Sequence, residues 1–61
     1  MKSDLIDIMV SVEVRTDKAI RVFYIDTSVW LPRSQIEIEE QPRNQAVITL
    51  PEWLAKEKGL I

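Results

Sequence analysis

The chain contains no cysteine and no histidine among its 61 residues. The lack of cysteine excludes disulfides, zinc–thiolate sites and thiol nucleophiles. The lack of histidine removes the commonest metal ligand and the commonest general base. Only one glycine is present, Gly59, so no glycine-rich phosphate loop can form. We therefore expect no enzymatic activity, no metal site and no cofactor in this chain.

Long apolar runs are also lacking. No stretch approaches the roughly 20 residues that a membrane span requires, and Asp4 and Asp7 interrupt the apolar start in a way that argues against a secretory signal peptide. The eight basic and ten acidic residues give a net charge of −2. Binding nucleic acid mainly through charge requires an excess of Lys and Arg instead. These features predict a cytoplasmic protein without a membrane partner.

The small size predicts a single domain over residues 1–61. A chain of this length buries only about 60% of the surface that its unfolded state exposes, so its stability is marginal. Small domains are usually reinforced by disulfides, metals or oligomerisation. Because the first two are excluded here, a homodimer is favoured, with the apolar side chains of Leu5 and Met9 on the first strand as the self-association surface. The alternative is a monomer in which the barrel closes on itself and the C-terminal helix covers Leu5.

Most of the chain has the two-residue apolar period of β-strands. Apolar residues fill every second position of the first segment, Leu5–Arg15, namely Ile6, Ile8, Val10, Val12 and Val14. Further strands are predicted over residues 19–25, 29–31, 36–40 and 46–50, with a turn or one turn of 3₁₀-helix over residues 32–35. Short, closely spaced strands predict a mainly β fold: a small five-stranded antiparallel barrel or a strongly bent, SH3-like sheet. An open curved sheet with a helix across one face is the competing interpretation.

The period changes near the end of the chain, which predicts a helix over about residues 51–58. Thr49 and Glu52 have the spacing of a capping box, Pro51 suits the first turn, and Gly59 is a natural left-handed stop. A two-turn helix cannot persist alone in water. We therefore expect it to dock on the sheet, with Trp53 buried as its anchor.

Two stretches carry a resemblance to a protein family. Residues 29–37 read V-W-L-P-R-S-Q-I-E, and residues 48–61 read I-T-L-P-E-W-L-A-K-E-K-G-L-I. They resemble the V-W-(I/L)-P-(K/R)-S-Q-(I/V) and T-(V/L)-P-E-W-L-A-x-x-K-G-L motifs of a family of small phage and prophage proteins whose function is not known. The resemblance covers roughly residues 18 to 61 and leaves the first strand outside it. It implies a phage or bacterial origin and a cytoplasmic location.

Trp30 stands beside Pro32 and Arg33 at the end of the third strand and has two interpretations. As an exposed rim residue it grips a peptide or stacks on a base; as a core residue it fills the interior, which is the favoured interpretation because aromatic side chains dominate small cores. If it is exposed, the candidate partner-binding residues are Tyr24, Trp30, Arg33 and Arg21.

The acidic residues Glu37, Glu39 and Glu40 are interpreted as a solvated strand face. Only Glu37 and Glu39 share a side of the strand, which is too few oxygen ligands for a hard cation.

The sequence therefore favours a non-catalytic protein-interaction or accessory module that binds another protein or its own copy. One alternative is a single-stranded nucleic-acid-binding accessory protein, in which Tyr24 or Trp30 stacks on bases beside arginines. Another alternative is an anti-defence inhibitor that occupies the surface of a host enzyme.

Overall fold

The computed structural model describes residues 4–61, which form five β-strands, one 3₁₀ turn and one helix. The elements in chain order are β1 (Leu5–Arg15), β2 (Ala19–Tyr24), β3 (Thr27–Pro32), the 3₁₀ turn (Arg33–Gln35), β4 (Glu37–Gln41), β5 (Gln45–Pro51) and α1 (Glu52–Glu57). The mainly β class, the 3₁₀ turn and the short C-terminal helix are confirmed.

The strands form one antiparallel sheet in the order β3-β2-β1-β5-β4. β1 therefore occupies the centre, and β3 and β4 lie at the two edges. Within residues 4–61 the two edge strands do not pair with each other, so the sheet is not closed into a barrel. The barrel and its SH3-like detail stay predictions.

One face of the sheet carries the core. The buried apolar residues are Ile8, Val10, Val12, Ile20, Val22, Leu31, Ala46, Ile48 and Leu50 from the strands, with Leu54, Ala55 and Leu60 from the helix and the residues that follow it. Successive side chains of a strand point to opposite faces, so the two-residue apolar period of β1 has one buried face, as predicted. We call the opposite side of the sheet the outer face.

The alternation of β1 breaks at a β-bulge between Val12 and Val14. The bulge inserts one extra residue, which shifts all later side chains to the other face. Val14 is consequently exposed on the outer face opposite Arg21, whereas the simple alternation predicted that it would share the core face with Val12. Arg15, opposite the buried Ile20, moves to the core side.

The predicted capping box is wrong. α1 begins directly after β5, its N-cap is Pro51, and no side chain bonds to the start of the helix. Thr49 lies within β5, opposite Asp7, and its hydroxyl donates to Asp7 Oδ1 at 2.6 Å. Because β5 continues through Pro51, Thr49 is committed to the sheet and cannot turn back to the helix.

The predicted anchor of α1 is also wrong. Trp53 is 56% exposed, whereas Leu54 and Ala55 are 3% and 0% exposed and join the core. Neighbouring helical positions differ in direction by about 100°. Once Leu54 and Ala55 face the sheet, Trp53 is turned toward solvent.

The end of α1 follows the prediction. Gly59 has a φ of 77°, and the Leu60 amide donates to the Ala55 carbonyl at 2.8 Å while the Gly59 amide donates to Lys56 at 3.1 Å. These two bonds define a Schellman motif, in which a left-handed residue satisfies the last helical carbonyls. Leu60 is thereby folded back into the core. No helix within residues 4–61 is long and apolar enough to cross a bilayer.

Candidate interaction surface

The outer face of the sheet carries several large apolar side chains that remain exposed. They are Leu5, Met9, Val14, Phe23 and Trp30. Single exposed apolar residues are ordinary, but contiguous ones mark interaction surfaces. Their arrangement on the sheet is therefore informative.

Three strands contribute to a cluster that we call the aromatic patch: Val14, Arg21, Phe23 and Trp30. Arg21 on β2 lies directly opposite Trp30 on β3 and opposite Val14 on β1. Phe23, two residues further along β2, is a diagonal neighbour of Trp30, a spacing that aromatic side chains span. The register of three adjacent strands thus brings two aromatic rings and one guanidinium together.

Trp30 is 43% exposed, so the interpretation favoured from sequence, a core position, is wrong. The core-facing position of β3 is taken by its neighbour Leu31, which is fully buried. Strand alternation then places Trp30 on the outer face. Phe23 is not among the partner-binding residues that the sequence predicts. It alternates with Ile20 and Val22 on β2, and because these two are buried, Phe23 lies on the outer face.

The only charge within the aromatic patch is positive and partly balanced. Arg21 Nε lies 3.2 Å from Glu13 Oε1, and both side chains are substantially exposed. An exposed ion pair of this kind is worth at most about 1 kcal/mol. A partner that displaces Glu13 would therefore lose little, and Arg21 stays available for binding.

The other two candidate partner-binding residues lie elsewhere. Tyr24 is half-buried and packs against the core. Arg33 is half-buried at the 3₁₀ turn, where its Nε donates to the Thr16 carbonyl at 2.7 Å and its amide donates to the Lys18 carbonyl at 2.9 Å. The structure thus brings Arg21 and Trp30 together, whereas Arg33 ties the 3₁₀ turn to the β1–β2 turn.

The two proposed self-association residues share the outer face at the start of β1. Leu5 and Met9 are 58% and 50% exposed, opposite Pro51 and Val47 of β5. Leu5 also lines an open groove of about 250 Å³, together with residues that include Ser34 and Gln35 of the 3₁₀ turn.

The acidic residues of β4 divide between the two faces. Glu37 and Glu39 lie on the outer face, opposite Thr49 and Val47. Glu40 lies on the core side, opposite the buried Ala46, and makes a two-bond ion pair with Arg15, at 2.8 Å to Arg15 Nη2 and 3.3 Å to Arg15 Nε. In the described part of the chain, no three acidic side chains converge to hold a metal ion.

The Arg15–Glu40 pair spans strands that are not neighbours, since β5 lies between β1 and β4. The hydrogen bond from Arg15, followed by its positive charge, lowers the pKa of the Glu40 carboxyl from its ordinary value of 4.5. The same hydrogen bond raises the pKa of Arg15. The pair therefore links two strands across the rim of the core face.

Comparison with known proteins found no matching family model, no matching curated protein and no matching solved structure.

Proposed function

We propose that this chain is a non-catalytic protein-interaction module that binds a segment of a partner protein on the aromatic patch. The observation that carries the proposal is the juxtaposition of Trp30, Phe23 and Arg21 on the outer face. Trp, Phe and Arg are enriched at protein interfaces, and Trp and Arg dominate their binding energy. Two aromatic rings that are exposed in so small a domain do not contribute their burial to the stability of its core. A binding role would account for their exposure.

The nucleic-acid alternative has a weaker basis. Aromatic rings beside an arginine can stack on bases, and the patch has both. Against it stand the net charge of −2, the pairing of Arg21 with Glu13 and the use of Arg33 in a turn contact. An inhibitor of a host enzyme would be a special case of protein binding and would use the same patch.

We further propose that the sheet bends in the manner of SH3-like barrels without closing. Two features support this shape. Only residues 33–36 connect the edge strands β3 and β4, which holds the two edges near each other at one end. The Arg15–Glu40 pair reaches from β1 to β4 past β5. The phage or prophage origin and the cytoplasmic location stay predictions that rest on the resemblance and the composition.

A displayed library of random peptides tests the proposed function. We expect the wild-type chain to select peptides that Trp30→Ser and Arg21→Glu no longer bind. Trp53→Ser is the matched control, because Trp53 is also an exposed tryptophan but lies on α1, away from the patch.

A fluorescent single-stranded oligonucleotide is the counter-test, at about 50 mM salt, where phosphate contacts are strong. Oligonucleotide binding that falls steeply with salt, together with no peptide selected through Trp30, would reject the protein-interaction module in favour of the nucleic-acid alternative.

A further inference from the structure

The first half of β1 has a strand partner on one side only. β5 pairs with β1 from Leu5 to Ser11, whereas β2 pairs with it only from Ser11 to Arg15. β2 ends at Tyr24, where the chain turns into β3. Among residues 4–61, the segment from Leu5 to Val10 therefore has no strand on its β2 side.

Backbone hydrogen bonds between β1 and the chain around β5 identify which N–H and C=O groups of this segment are unpaired. The Val12 amide donates to the Asn44 carbonyl and the Glu52 amide donates to the Asp4 carbonyl, both at 2.7 Å. These bonds mark the two ends of the β1–β5 ladder. Since alternate residues of an antiparallel strand bond to the same neighbour, the even-numbered residues between these two bonds, Ile6, Ile8 and Val10, bond to β5.

The odd-numbered residues Leu5, Asp7 and Met9 consequently direct their N–H and C=O groups away from β5. We call these three residues the free edge. Unpaired strand edges are templates for an added strand, whose main-chain hydrogen bonds give affinity.

Side chains on both faces of the free edge are incompletely covered. Leu5 and Met9 are exposed on the outer face. On the core side Ile6 is only half-buried, whereas Ile8 is 7% exposed. A strand added at the free edge would cover Ile6 with its inward side chains and would contact Leu5 and Met9 with its outward ones.

The charge at the free edge is negative. Asp7 lies at its centre, and the Thr49 hydroxyl bonds its carboxylate at 2.6 Å. Glu37 lies opposite Thr49 on the next strand, so a second carboxylate extends the same row. Opposite charges directly across a strand pair are favourable. We propose that the free edge binds an extended segment of a partner protein as an added antiparallel strand, with apolar residues facing Leu5 and Met9 and a Lys or Arg facing Asp7.

This site goes beyond the proposed function and does not depend on the aromatic patch. A second copy of the chain fits the free edge less well. Two-fold pairing that uses all three edge residues sets Leu5 against Met9 of the copy and Asp7 against Asp7 of the copy. Like charges directly opposite are destabilising, so a basic partner strand is favoured over self-association.

The test uses a blocked seven-residue peptide of β-branched residues with a central Lys, and a matched peptide with a central Glu, titrated into the ¹⁵N-labelled chain. We expect the Lys peptide to shift and protect the amides of Leu5, Asp7 and Met9. It should bind about fivefold more tightly than the Glu peptide, the ratio for about 1 kcal/mol of cross-strand charge pairing. Asp7→Lys should reverse the preference.

Met9→Pro tests the main-chain bonds. Proline is tolerated where a strand N–H faces solvent, so the variant should fold yet bind at least tenfold more weakly. Trp30→Ser should leave peptide binding unchanged, which separates this site from the aromatic patch.

Three results would overturn the proposal. One is that the amide signals of the free edge do not shift when the Lys peptide is present at millimolar concentration. Another is equal affinity of both peptides for the wild type and for Asp7→Lys. The third is protection of Leu5, Asp7 and Met9 that rises with protein concentration alongside a two-chain mass in sedimentation, since the free edge would then serve a second copy.

Discussion

Ile25 lies at the tip of the β2–β3 hairpin with a backbone φ of 61°. Tyr24 pairs with Thr27, so the loop has two residues, Ile25 and Asp26, and only the first has a positive φ. That pattern of signs is the one of a type II′ turn, in which glycine is preferred at this place. A β-branched residue in this region is strained, and Ile25 is 76% exposed, so no burial compensates for the strain.

We predict that Ile25→Gly stabilises the domain. Relief of the strain of a positive φ, about 1–2 kcal/mol, outweighs the larger entropy of glycine in the unfolded chain and leaves a net gain of about 0.5–1 kcal/mol. Urea unfolding followed by circular dichroism measures this gain. Ile25→Val is the control, because it keeps the branched Cβ and should stay close to wild type. A lower urea midpoint for Ile25→Gly would contradict the assignment of strain.

The Arg15–Glu40 pair gives a second prediction at the scale of single residues, on the dependence of stability on pH. Because the folded-state pKa of Glu40 lies below its ordinary value of 4.5, the unfolded state binds the proton more readily. The contribution is present above pH 4.5 and is lost as the pH falls through the lowered folded-state pKa. We expect the urea midpoint of the wild type to decrease as the pH is lowered below 4.5. The urea midpoint of Glu40→Gln should decrease less steeply over the same pH range.

Glu39→Gln is the matched control, since it removes one carboxylate from the same strand and leaves the Arg15–Glu40 pair intact. Equal acid slopes for Glu40→Gln and the wild type would show that the pair adds nothing to folding in solution.

The helix α1 shows how far a sequence pattern determines an element. The existence of α1, its length and its stop at Gly59 all follow from the sequence, because each depends on local residues. Its docking face does not, since Trp53 and Leu54 are both apolar and adjacent. Which of the two faces the sheet depends on the direction of the chain as it leaves β5 and enters α1. The same limit applies to Trp30 and Leu31 on β3, where neighbouring apolar residues compete for the core-facing side.

We predict that Leu54, rather than Trp53, holds α1 on the sheet. Leu54→Ala should destabilise the domain by about 2–5 kcal/mol, the usual range for a buried Leu. Trp53→Ala should cost less than about 1 kcal/mol, as exposed positions do. Thermal unfolding of the two variants measures the difference, and a larger loss for Trp53→Ala would reverse the assignment.

At the scale of the whole molecule, the strand order separates a protected centre from two edges. The same alternation that identifies the free edge applies to the two edge strands. The backbone N–H and C=O groups of Ser28 and Trp30 point away from β2, the single neighbour of β3. Those of Ile38 and Glu40 point away from β5, the single neighbour of β4. The Arg33 amide donates to the Lys18 carbonyl, and this bond establishes that the odd-numbered residues of β3 are the ones that bond to β2. Neither the bulge between Val12 and Val14 nor this order could be predicted from the sequence, since hydrophobic alternation specifies faces and not neighbours.

We predict that native-state hydrogen exchange follows this division. Amides of Ile8, Val10 and Ile48, in the central β1–β5 ladder, should exchange only through global unfolding. Amides of Trp30 and Ile38 should exchange orders of magnitude faster. Equal protection of the edge and central amides would mean that β3 and β4 pair and the sheet closes into a barrel.

The central ladder also governs how the chain folds as it is made. Ile8 pairs with Ile48, 40 residues later in the sequence, so the first half of β1, which β2 does not pair with, waits for β5 before it can complete its burial. Protein synthesis at about 5–20 residues per second makes that interval about 2–8 s. During that interval the first half of the nascent β1 is a β-prone apolar segment without a strand partner, the kind of sequence that aggregates unless charges interrupt it. Asp7, Glu13 and Arg15 supply such charges and act as gatekeepers on the emerging chain.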